Sequence, residues 1–194
     1  MSLIKKLVFL LPLLGILSAL PSAAQPVCVT FEPPAFPFGT IYGRPVGQVS
    51  GDLAFSFNLI DGYVYNFNQF GPITVFNMAR VENAPVAFSP GQSLRTNNID
   101  LELDLRNLGF TVTKATFSYL DLGGYENLAV NGALYVGELT SAPPVLGGAN
   151  VAVTSTPLPP PRSGKMGSVS ITGPIVKTVR IGGQELWIDS VCAK

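Results

Sequence analysis

Residues 99–105 alternate without a break: Ile99, Leu101, Leu103 and Leu105 are apolar, and Asp100, Glu102 and Asp104 between them are acidic. A repeat of two sends successive side chains to opposite faces of an extended strand, so one face is buried and the other wet. The same period runs through most of the chain after residue 24, and no window there carries the 3.6-residue stripe of an amphipathic helix. Strands are predicted at 27–32, 52–57, 63–67, 75–82, 99–105, 115–121, 126–130, 134–139, 151–156, 167–172, 176–181 and 185–192. Asp61-Gly62, Asn131-Gly132 and Gly182-Gly183 read as hairpin turns, because these residues tolerate positive φ. The Pro-rich stretches 141–148 and 155–164 read as loops or sheet edges, since Pro lacks a ladder donor. Pro157–Pro161 could instead offer a polyproline ligand to a partner. The expected architecture is all-β: a single antiparallel sandwich domain over 25–194.

The first 24 residues are expected to lie outside that fold. Lys5 and Lys6 precede an apolar run from Leu7 to Leu20, and Ser22-Ala23-Ala24 has the small residues of a secretory cleavage site. A bilayer span takes about 20 apolar residues, so the run reads as a signal peptide in preference to a retained anchor. Removing it leaves ten basic and twelve acidic residues. The mature protein is thus expected to be secreted or periplasmic, mildly acidic, and without an electrostatic case for nucleic acid or membrane.

Two Cys, Cys28 and Cys192, stand at the ends of the mature chain. In an oxidising compartment their simplest state is a disulfide, with free or intermolecular thiols as the alternative. A bond would make the first and last strands antiparallel neighbours. The chain has no His. This excludes Ser-His-Asp and Cys-His catalysis and HExxH zinc sites.

Val29-Thr30-Phe31-Glu32 near the start and Leu186-Trp187-Ile188-Asp189-Ser190-Val191 at the end resemble the first and last strands of carbohydrate-binding-module jelly rolls. The resemblance covers about a dozen residues and the general strand pattern. It implies a polysaccharide or glycan ligand, and a structural calcium between the end strands, held by Glu32 and Asp189. Asp52 is a candidate third carboxylate, and irregular backbone at 33–43 could add carbonyls. One difficulty stands against the site. With Cys28 opposite Cys192 in a regular ladder, Glu32 falls opposite Ile188 and Phe31 opposite Asp189, so alternation sends the two carboxylates to different faces. A bulge or strand end at Glu32-Pro33-Pro34 would reunite them; otherwise they are unrelated surface groups.

Rings stack on the C–H faces of sugars, while amides and Arg bond hydroxyls. Candidate ligand contacts are Tyr63, Tyr65, Tyr125 and Trp187 with Asn97 and Asn98, and further Phe67, Asn66, Asn68 and Arg95. The competing reading places the Tyr63, Tyr65 and Phe67 rings in the core, and Trp187 beside a metal loop. Asp100, Glu102 and Asp104 read as a solvated outer face partnered by Arg106 and neighbouring cations, with a cation site as the alternative. Asp121 and Glu126 flank Gly123-Gly124, either as a glycosidase carboxylate pair or as turn residues. Binding is expected in preference to catalysis. The alternatives are a self-associating structural or adhesive subunit of the cell surface or matrix, and a carboxylate-based polysaccharide hydrolase.

Overall fold

A computed structural model describes residues 25–43, 55–58, 63–71 and 76–194. The expected signal segment, Asp52 and the Asp61-Gly62 turn lie outside the described residues. The strands are β1 (Val27–Val29), β2 (Ile41–Gly43), β3 (Phe55–Asn58), β4 (Val64–Gln69), β5 (Met78–Glu82), β6 (Ser93–Asn97), β7 (Ile99–Asp104), β8 (Lys114–Asp121), β9 (Glu126–Val130), β10 (Ala133–Gly137), β11 (Val145–Leu146), β12 (Ala149–Pro157), β13 (Lys165–Thr172), β14 (Thr178–Gly183) and β15 (Leu186–Ala193). Among the described residues, helical structure is confined to single 3-10 turns at Leu105–Leu108 and Leu139–Ser141. None is long and apolar enough to cross a membrane.

The strands form two antiparallel sheets. One runs β11-β12-β13-β8-β15-β6-β5-β2, with β1 also paired to β15; the other runs β10-β9-β14-β7-β4-β3. Successive strands lie in different sheets at β2–β3, β4–β5, β6–β7, β7–β8, β8–β9, β10–β11, β13–β14 and β14–β15. An all-β sandwich is therefore what the period-two pattern specifies. Its core takes the inward residues of both sheets: Ile99, Leu101 and Leu103 of β7 meet Ala115, Phe117 and Tyr119 of β8. A second apolar cluster lies on the outer face of the larger sheet. There Leu120 and Trp187, paired across β8 and β15, are covered by Leu158, Val86 and Phe88.

Three sequence expectations change. Asn131-Gly132 does close the β9–β10 hairpin, with φ of 50° and 86°. Gly182-Gly183, by contrast, lies inside β14, and the chain turns at Gln184-Glu185. A Cβ on Gly182 would sit 2.4 Å from the Ile99 carbonyl oxygen and 2.5 Å from Asp100 Oδ1, so the glycine serves close packing, not a turn. The polar strand β6 (Ser-Leu-Arg-Thr-Asn) was not expected, yet it lies between β15 and β5. The acidic row is not a plain solvated face either. Asp100 and Asp104 are buried, although the expected cations are present: Arg106 bonds Asp104 and Arg180 bonds Glu102.

Cys28 and Cys192 form a disulfide and pair directly across β1 and β15. Closing a loop of 164 residues restricts the unfolded chain by an ideal maximum of about 5 kcal/mol.

Candidate functional site

The joined ends bring Glu32 and Asp189 together, and the reason is local backbone geometry. β15 spends one extra residue against β8: Asp189 pairs with Ser118, but Cys192 with Thr116. Ser190, with φ of 52°, sits in this bulge, and Phe31 on the opposing segment has φ of 54°. The bulge moves the inward positions from Ile188 to Val191 and resets the face on which Asp189 stands. It lies in the last strand, whereas the sequence suggested Glu32-Pro33-Pro34; β1 itself ends earlier, at Val29. Glu32 Oε1 accepts the Gln92 N–H at 2.7 Å, an approach that a Cβ on Gly91 would block at 2.0 Å. Asp189 is buried. Burial pushes its carboxyl up to about 6, a bond from Ser89 opposes the shift, and the Glu32 charge adds to it. The pair thus supplies two neighbouring carboxylates, one oxygen of which is already committed to Gln92.

The aromatic expectations divide. Tyr63, Tyr65 and Phe67 are fully buried in the core, where Tyr63 also donates its O–H to the Val27 carbonyl at 2.8 Å. Alternation turned this face of β4 inward, so Tyr63 and Tyr65 cannot contact a ligand, which corrects the expectation for both. Trp187 is likewise withdrawn: it is packed in the outer cluster, donates Nε1–H to Glu82 Oε1 at 3.2 Å, and is covered by the Arg95 guanidinium at 4.9 Å. Tyr125 is open to solvent, 64% exposed, in the β8–β9 connection.

The polar candidates converge. Connections from several strands meet at one end of the sandwich and enclose a groove of about 460 Å3. Arg95 and Asn97 of β6 form one wall with Asn98 beyond them; Gly123 and Gly124 come from the β8–β9 connection, Gln184 and Glu185 from the β14–β15 turn, and Phe76 from the β4–β5 connection. An adjoining pocket of about 190 Å3 shares Phe76, Arg95 and Asn97 and adds Met78 and Arg80. The walls are pinned. The Asn98 N–H donates to the Gly183 carbonyl at 2.9 Å, and the Asn77 amide donates to the Asn98 carbonyl at 2.9 Å. Gly124 packs so closely on Gln184 that a Cβ would lie 2.7 Å from its side chain. Arg95 is held between the Trp187 ring and Glu82, 3.7 Å from its carboxylate. Sequence reasoning named Arg95, Asn97 and Asn98 but missed Phe76, Gln184 and Glu185, which carry no motif.

The same connection that lends Gly123 and Gly124 to the groove ends in a buried acidic cluster. Asp121 closes β8 and Glu126 opens β9, while Glu138 follows β10; one carboxylate oxygen from each lies within 4.8 Å of the others. Glu126 pairs with Gly183 on the inward face of its sheet and is 0% exposed. Its Oε2 accepts the Leu139 N–H at 3.3 Å; among the described residues no N–H or O–H of another group donates to its Oε1, and the side chain shares a carboxyl–carboxyl hydrogen bond with Asp121. Asp121 Oδ1 accepts the Gly123 N–H at 2.8 Å, and Lys165 bonds Glu138. Burial, then the Asp121 and Glu138 charges, push the Glu126 carboxyl up to about 8. Burial also raises Asp121, against the pull of the Gly123 N–H and the Lys165 charge. These three carboxylates could hold a metal ion. A glycosidase acid must reach a glycosidic oxygen, and Glu126 is sealed from solvent.

Compared with known proteins, the chain matches no family model, no curated protein and no solved structure.

Proposed function

We propose that this protein is a secreted, non-catalytic binding module whose ligand is a polysaccharide or glycan held in the end groove. The observation that carries the reading is the lining of that groove: one exposed ring, Phe76, beside amides and a fixed guanidinium. Amides both donate and accept, as sugar hydroxyls do, and a flat ring matches the C–H face of a pyranose. Rigid walls lower the ordering cost of binding. The charges of the groove and its adjoining pocket, Arg95 and Arg80 against Glu185, are too few for a nucleic-acid ligand. The resemblance of the end strands to carbohydrate-binding modules supports the same reading, and the formed disulfide suits an exported protein. Calcium belongs to this reading as a structural ion held by carboxylates outside the groove.

The test is affinity electrophoresis on a panel of plant, microbial and matrix polysaccharides. Retention on at least one polymer is expected, with Asn97→Ala and Phe76→Ala each weakening it about tenfold, which is about 1.4 kcal/mol. No retention on any polymer, or retention indifferent to both substitutions, contradicts the reading.

One observation favours a second reading, a self-associating structural or adhesive subunit. β10 is an edge strand without a charged residue, and its Leu134 and Val136 are about half exposed, as is Val145 of the other sheet's edge strand β11. Uncharged edges can add strands from another copy. Light scattering that shows assembly growing with concentration, and lost in Val136→Lys, would support it; a monomer at every concentration would remove it.

A further inference from the structure

We infer that Asp121, Glu126 and Glu138 bind one hard divalent cation, calcium, at the end of the sandwich. Carboxylates gathered in one place are not enough for such a site, because surface acids do this without a metal. The independent observation is Glu126: its side chain is wholly buried within the cluster, and among the described residues no N–H or O–H of another group donates to Oε1, so its one remaining contact is a carboxyl–carboxyl bond to Asp121 that holds only while the two share a proton. A buried polar atom normally finds a partner, and leaving it bare is costly. The other contacts in the cluster act as a brace. The Leu139 N–H fixes Glu126 Oε2 and the Gly123 N–H fixes Asp121 Oδ1, so each side chain keeps one oxygen for a shared ligand.

The chemistry of the donors selects the ion. All are carboxylate oxygens; the chain has no His, and both Cys are tied in the disulfide. That set suits hard cations, not zinc or copper. With Glu126 ionised, three carboxylates and the Lys165 ammonium sum to two negative charges, which one divalent ion neutralises as it displaces the Glu126 proton. The donors come from the end of β8, the start of β9 and the segment after β10. Calcium accepts such an irregular cage more readily than magnesium, which demands a near-ideal octahedron. Lys165, partly exposed and bonded to Glu138, is the resident competitor and must yield Glu138 to the ion. Glu32 and Asp189 are the weaker place for it: Asp189 Oδ1 is likewise buried without a donor among the described residues, but the pair offers two carboxylates against three, and one oxygen is already taken by Gln92. This inference rests on the proposed binding module only in giving its structural ion a site. The cation test needs no glycan, so each can fail without the other.

The experiment is calorimetric titration of the chelator-treated, oxidised protein with calcium chloride and, separately, magnesium chloride, with melting temperature read in parallel. One calcium is expected, with a dissociation constant of about 0.1–1 mM. Calcium at about 10 mM should raise the melting temperature by about 3 °C or more. Glu138→Gln, at a partly exposed position that should not disturb folding, is expected to weaken calcium about tenfold or more, and Lys165→Gln to strengthen it several-fold. Wild-type protein that binds neither ion shows that Lys165 and a shared proton satisfy the cluster, and overturns the inference. Calcium binding unchanged by Glu138→Gln but lost in Glu32→Gln places the ion at the joined ends, and overturns it equally. Tighter binding of magnesium than of calcium overturns the choice of ion.

Discussion

Asp100 and Glu126 are buried carboxylates on adjacent rungs of the same sheet, and they are treated in opposite ways. Asp100 lies on the outer face, opposite Gly182 and two strands from Asn127. Because Gly182 has no side chain, Asn127 reaches across it and donates Nδ2–H bonds of 3.0 and 3.2 Å to both Asp100 oxygens. Burial pushes Asp100 up to about 6, with the Asn127 bond and the Arg180 charge pulling it back and the Glu102 charge adding to the rise. Glu126 lies on the inner face with one oxygen bonded to an N–H and one without such a donor among the described residues. In the first, both carboxylate oxygens are bonded, and the atom left without a partner among the described residues is the Asn127 amide oxygen. In the second, one carboxylate oxygen takes a backbone N–H and the other faces acidic neighbours, Asp121 and Glu138.

The comparison breaks most sharply at Gly182. Gly182→Ala would drive a Cβ onto the Ile99 backbone and Asp100, and should cost about 3 kcal/mol in urea unfolding. A loss under about 0.5 kcal/mol would show that the sheet yields easily there. Asn127→Ala strips the buried Asp100 of its donors and should cost about 2 kcal/mol at pH 7.

Asp100→Asn tests the same pair through pH. The folded value, about 6, lies above the ordinary 3.8, so the folded state binds the proton more tightly. Below about pH 4 both states are protonated and nothing is lost; as pH rises through about 6 the folded state must ionise a buried group, and stability falls. Asn avoids that step. At pH 7 the variant should be about 1–2 kcal/mol more stable than wild type, with the gain vanishing below about pH 4. An unchanged difference across this range would mean that Asp100 does not titrate there.

The smallest effect is expected at Glu126. In calcium-free protein below about pH 4, where the Glu126 carboxyl is protonated both folded and unfolded, Glu126→Gln should change stability by less than about 1 kcal/mol, since an amide of the same shape keeps the Leu139 bond. Stabilisation by calcium should disappear with it. A loss as large as that in Asn127→Ala would put Glu126 among the structural carboxylates and erase the contrast.

The strand core was legible where side-chain chemistry alternates. Ile99 to Leu105 declared its inward face, and the two Cys declared that the ends meet. The reading failed where a strand is held by its neighbours: Ser93–Asn97 has no strong period of its own, yet β15 and β5 secure it from both sides. It failed again where one backbone residue shifts a register, as Ser190 does for Asp189. Asp121 and Glu126 were visible as a pair flanking two glycines, but Glu138 and the burial of Glu126 depend on sheet pairing that no local pattern records. The groove was half visible: Arg95, Asn97 and Asn98 had the right chemistry, while Phe76, Gln184 and Glu185 arrive from connections whose meeting is a property of the whole sandwich.

The central claim is that the loop end of the sandwich is the working surface. Backbone amide NMR of the isotopically labelled protein, titrated with fragments of whichever polysaccharide retains it, tests this directly. The account predicts shifts concentrated at residues 76, 95–98, 123–124 and 184–185, with the β10 and β11 edges silent. Shifts gathered on those edges, or spread without a centre, would contradict it.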